Sequence, residues 1–162
     1  MNTSGDASSY FLDQARWYFT SSYLPKIEHC LAQLSEEDVW HRANEASNSI
    51  GNLILHLSGN VQQWIVGGVG NLPYERDRQH EFGERGGISR ADLLARLKAT
   101  LAKADQVLAK VDPASLLERK EIQGCDVTVM EAILRIVQHF ALHTGQIMLL
   151  TKQRTGEDLK LS

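Results

Sequence analysis

The stretch 128–156, TVMEAILRIVQHFALHTGQIMLLTKQRTG, decides how the rest of the 162-residue chain is read. Thr128 followed by Glu131 three residues on has the form of a capping box, in which each side chain satisfies an orphan backbone donor of the other. From there Ile133, Ile136, Val137, Phe140, Ile147, Met148 and Leu150 recur mostly at threes and fours, the spacing of one helix face, and Gly156 supplies the stop. His139 and His143 stand four apart in the same run, so both imidazoles share a face with β-carbons about 5–6 Å apart. Both can reach one ion at nitrogen-to-metal distances of about 2.0 Å. That face also carries Ile136, Ile147 and Leu150 and is expected to point inward. Uncompensated imidazoles are costly there unless hydrogen-bonded or ligated.

Outward from this helix the same periodicity returns three times. Ser89, with Asp92 three residues on, opens a run of Leu93, Leu94, Leu97, Leu101, Ala104, Leu108 and Val111 that Asp112-Pro113 closes. Asn48-Ser49 caps a run through Ile50, Leu53, Ile54, Leu57, Val61, Trp64 and Ile65, expected to end at Gly67-Gly68. The stretch from Ser8 to Leu34 carries Tyr10, Phe11, Ala15, Tyr18, Phe19, Ser22, Leu24, Ile27, Cys30 and Leu31 in helical phase, and Pro25 is expected to kink or break it near Ser22–Leu24. Between the runs lie a loop anchored by Trp40, a long charged loop between Gly70 and Gly87, and a short extended excursion at 117–127. Arg76, Asp77, Arg78, Glu81, Glu84 and Arg85 in the charged loop read as a solvated ion-pair network. Four long helices in one chain predict an all-α four-helix bundle, a single domain over residues 1–162.

Composition sets the outer limits. Lys plus Arg number 17 against 20 Asp plus Glu, a net charge of −3 that argues against nucleic acid as the main partner. No run of about 18 apolar residues suggests a membrane span. The start, Met1 to Ser9, is neither basic nor apolar and does not read as a secretory signal. Two cysteines, Cys30 and Cys125, are too few and too far apart for a disulfide framework or a paired-cysteine zinc site. A cytoplasmic setting is the expectation.

Six histidines then stand out. His56 shares its helix face with Leu53, Asn60 and Trp64, so it too points inward. Taken alone, His56 reads as a core histidine bonded to a carbonyl; with His139 and His143 it makes three inward imidazoles on two helices, a ligand set that bundle cores assemble from facing helices. Three neutral imidazoles leave coordination positions open and suit zinc or nickel, with iron and cobalt also accommodated. Such an ion generates a nucleophile from water or a thiol near neutral pH. Asn60 and Gln146 lie one turn from the ligands, placed either to orient ligands or substrate or to serve as ordinary polar positions. His29 and His41 read as exposed or structural, whereas His80 in the charged loop has a fourth-ligand or lid role open to it. Cys125 reads as a packed small side chain before a reactive thiol.

Together, Leu24-Pro25-Lys26-Ile27, Asn48-Ser49-Ile50-Gly51-Asn52, His56-Leu57-x-Gly59-Asn60 with Trp64, Arg76-Asp77 with Glu81-Phe82, and His139-x-x-x-His143-x-Gly145-Gln146-Ile147 resemble the DinB-like superfamily over nearly the whole chain. The resemblance implies an up-down-down-up four-helix bundle and a metal held by one histidine of the second helix and two of the fourth, here His56, His139 and His143. Characterised relatives include bacillithiol S-transferases and a mycothiol-dependent isomerase, which implies a small-molecule substrate and a low-molecular-weight thiol. A metal-dependent hydrolase and a non-catalytic, stress-related metal-binding bundle are the alternatives. Members commonly pair, and the aromatic cluster of Tyr10, Phe11, Trp17, Tyr18, Phe19 and Tyr23 exceeds what one core buries, so a homodimer is expected.

Overall fold

Helix α1 (Ala7–Trp17) passes without a break through a π-helical stretch, Tyr18–Tyr23, into α2 (Leu24–Ala32). The computed structural model describes residues 6–161; Met1, on which the non-signal reading partly rests, lies outside them. Pro25 occupies the first turn of α2 rather than a kink, and Trp17 and Leu24, which flank the π-helical stretch, both keep right-handed helical dihedrals. The wider π winding takes up the missing donor and the bulk of the ring, so the expected break becomes a local change of pitch.

The segment read as a loop around Trp40 contains α3 (Glu36–Trp40), started by a reciprocal cap between Ser35 and Asp38. Trp40 does anchor it: its Nε1 donates to the Ile88 carbonyl at 3.0 Å, and fully buried Val39 adds a second anchor. Helix α4 (Ile50–Val61), capped by Ser49, continues as a second π-helical stretch, Gln62–Val69. Gly67-Gly68 does not end it. A β-carbon at 67 would lie 2.2 Å from Tyr74 and one at 68 would lie 2.6 Å from Ile122, so these glycines admit neighbours against the helix.

The charged loop is not wholly irregular, because Asp77 caps a short helix within it, α5 (Arg78–Gly83). Then come α6 (Arg90–Leu108), a 3₁₀ turn (Pro113–Leu117) and an antiparallel hairpin of β1 (Arg119–Ile122) and β2 (Cys125–Thr128). Gln123 and Gly124 form its two-residue turn with φ of 55° and 72°. The last helix, α7 (Val129–Thr155), has the expected Thr128–Glu131 capping box and ends at Gly156 in the left-handed region, φ 70°.

The helical stretches 7–32, 50–69 and 90–108 and α7 share one hydrophobic core, with Phe19, Ile27, Leu57, Leu97 and Phe140 essentially inaccessible. Phe140 meets Phe19 edge-on at 5.5 Å and stacks on Tyr23 at 5.7 Å, joining α7 to the first helix. Helix α4 packs against both α6 and α7, which turns His56 towards the face carrying His139 and His143. The all-α bundle is thus confirmed, with the hairpin its only sheet among the described residues.

Candidate metal centre

Helix α4 is buried along almost its whole length, and His56 is only 6% exposed. Across from it, α7 presents His139 and His143, one turn apart and half-buried. The three rings approach edge to face. Their centroids are 4.9 Å apart for His56 and His139, 5.1 Å for His56 and His143, and 4.4 Å for His139 and His143, at interplanar angles of 74°, 90° and 87°. One ligand nitrogen from each lies within 4.8 Å of the other two. The Nε2 atoms of His56 and His139 are 2.8 Å apart.

The outer nitrogens are held by acceptors. His56 Nδ1 donates to Glu81 Oε2 at 3.0 Å, and His143 Nδ1 donates to Gln146 Oε1 at 2.6 Å. A neutral imidazole that donates from Nδ1 keeps its lone pair on Nε2, so both partners fix the tautomer that a ligand needs. His139 Nε2 then faces a lone pair on His56 Nε2, an approach that requires a proton or a cation between them. Burial first, then the neighbouring His143, His56, Arg76 and Arg78, pushes the His139 pKa down to about 4. Burial lowers His143 as well, against the opposing bond to Gln146. Both rings are therefore neutral at neutral pH. The donor set fits a divalent transition metal, with three imidazole nitrogens and no thiolate.

Glu81 is the residue that the sequence reading misplaced. Instead of belonging to a solvated network, its side chain is 4% exposed and paired to Arg76, itself 7% exposed, through bonds of 2.8 and 3.0 Å. Burial alone would raise the Glu81 pKa, but the hydrogen bonds from His56 and Arg76 prevail and hold it below the ordinary value. Three local devices bring it there. Asp77 caps α5 by accepting from the His80 amide at 2.9 Å. Asn52, while completing the Ser49 cap, donates from Nδ2 to the carbonyls of Glu81 and Glu84, each at 3.0 Å, and so clamps α5 to α4. Gly59 leaves the space: a β-carbon there would lie 1.9 Å from Glu81 Oε1. The pairing of Arg76-Asp77 with Glu81-Phe82 was the signal available in the sequence, but charge density alone reads as solvent exposure, and burial here depends on Gly59 and Asn52 in another helix.

The other predicted positions divide. Gln146 bonds His143, and Asn60 lines a cavity beside His56 and His139 with its Oδ1 buried and without a hydrogen-bond partner. His80 is exposed, 3.8 Å from Glu84 Oε2, and is not brought into the histidine cluster; the loop covers α4 through Glu81 instead. His29 and His41 are exposed, as expected. Cys30 is buried with its thiol pKa raised by that burial, and Cys125 is half-buried beside Arg135, both outside the cluster. A separate cavity of about 380 Å³, between Val69–Leu72 and the end of α6, contains no histidine.

The profile of a family described as "Protein of unknown function (DUF1572)" matches residues 6–162. The crystal structure of a DinB-like protein from Bacillus cereus ATCC 10987 superposes with a TM-score of 0.68 at 14% sequence identity, over 92% of this chain and 93% of that one. At that identity the likeness carries the fold, which is DinB-like. No curated protein matches the sequence.

Proposed function

The chain belongs to the DUF1572 family, whose description assigns no activity, and from the geometry of its histidines we propose a metal-dependent enzyme acting on a small molecule. His56, His139 and His143 are the ligands in this reading, and zinc or nickel is the ion that three imidazoles suit best. When bound, such an ion lowers the pKa of a thiol or water at its open position and so supplies a nucleophile near neutral pH. Glu81 and Gln146 are positioning residues that hold His56 and His143 in the ligating tautomer. Asn60 lines the adjoining cavity.

The leading version is transfer of a low-molecular-weight thiol to an electrophile, with hydrolysis as the version in which water takes the thiol's place. The observation that carries the enzymatic reading is the convergence of three imidazoles, with no fourth ligand among the described residues, beside a cavity of about 260 Å³. A non-catalytic ion would serve to lock α4 to α7, yet the shared apolar core already joins them. Chelation followed by a melting curve and a screen of thiol acceptors separates these readings. Loss of turnover with a small fall in Tm supports the enzyme; a steep fall in Tm with no turnover in either state supports the structural ion.

A further inference from the structure

The cavity beside the histidines is positively charged in a protein whose net charge is −3. His56 and His139 form part of its wall, and Arg76, Arg78 and Arg135 supply three guanidinium groups, with no aspartate or glutamate in the lining. Arg76 is already neutralised by its paired contacts with Glu81. Arg135 and Arg78 are not: among the described residues neither forms an ion pair with a carboxylate. Arg135 lies 4.9 Å over the Trp64 ring, which fixes its plane, and Arg78 stands 5.9 Å from the Phe82 ring. Trp64 is in turn held by Gln123, whose side chain accepts from Nε1 at 3.0 Å, so the hairpin turn closes one side of the space.

Two guanidinium groups without a carboxylate partner and with aromatic support are built to receive a carboxylate. The geometry points to an anion subsite: Arg78 and Arg135 bind the carboxylate of a small substrate. This orients the rest of the molecule towards His56 and His139. The inference rests on the metal-centre reading for what then happens to the substrate, but not for its binding.

The test is titration of the metal-loaded and the chelator-stripped protein with succinate and uncharged succinamide, followed by Trp fluorescence and calorimetry, with ion content measured in parallel. Succinate is expected to bind both forms about tenfold more tightly than succinamide. Arg78→Gln and Arg135→Gln are each expected to weaken it about fivefold with ion content unchanged, and Arg135→Lys to keep most of the preference. Both arginines are exposed, and circular dichroism checks that their variants fold. Equal binding of succinate and succinamide overturns the subsite, as does succinate binding that requires the ion and ignores both arginines. If no ion is found while arginine-dependent succinate binding persists, the subsite stands and the metal reading falls.

Discussion

Gly59 and Glu81 compete for one volume, since a β-carbon at 59 would lie 1.9 Å from a carboxylate oxygen that His56 and Arg76 hold in place. Gly59→Ala should displace Glu81 and weaken metal binding about 10–100-fold, and the broken pairing with Arg76 should outweigh the about 1 kcal/mol gained in intrinsic helix propensity, so that chelator competition and melting curves both show a loss. Glu81→Gln should lower affinity to a similar degree and also cost about 3–5 kcal/mol, because it leaves Arg76 as a buried charge without its partner. At this scale the histidines were legible because helical phase is local: three and four residues along a chain fix a face. Glu81 was not legible, because nothing in the Arg76–Arg85 composition separates a buried carboxylate from the exposed ones around it. Its burial is set by the bare surface at Gly59.

The helices show the same division between local and distant causes. Caps at Ser49, Ser89 and Thr128 and the stop at Gly156 lie where side-chain chemistry puts them, as local signals should. The two π-helical stretches carried no such signal, since Gly67-Gly68 and Pro25 read equally well as breaks until Tyr74, Ile122 and the rest of the bundle are packed against them. Helix α5 is too short for periodicity to reveal and depends on Asn52 of α4. Asn52→Ala, which removes one half of a cap and two clamping bonds, should cost about 2–3 kcal/mol and speed amide exchange in α5. A second clamp gives a pH dependence: hydrogen bonds from Ser35 and then Arg154 lower the Asp38 pKa from 3.8 to about 2, tying α3 to the end of α7. The unfolded chain takes up this proton first as pH falls. The contribution is therefore complete well above pH 3.8 and is lost as pH drops towards 2, and Asp38→Asn should flatten the acid limb of the stability curve there.

For the whole molecule, the sequence pattern supported the bundle strongly because four amphipathic runs have few ways to bury their apolar faces together. Among the described residues no helix is long and apolar enough to cross a membrane. The aromatic cluster of the first helix was only partly absorbed: Phe19 is buried, but Tyr10 is 64% and Trp17 49% exposed. That supports the expected homodimer, for which sedimentation equilibrium should give about twice the 18.1 kDa chain mass and a lower mass after Trp17→Glu. The hydrophobic cluster already joins the four long helical stretches, so the account expects the fold to survive loss of the ion. Elemental analysis of the purified chain, set beside the His139→Ala variant, tests the central claim most directly. The account predicts about one divalent transition-metal ion per chain at neutral pH, lost in a variant that keeps its helical content; an ion-free chain after growth and purification with metal supplied, or an ion that His139→Ala retains undiminished, would contradict it.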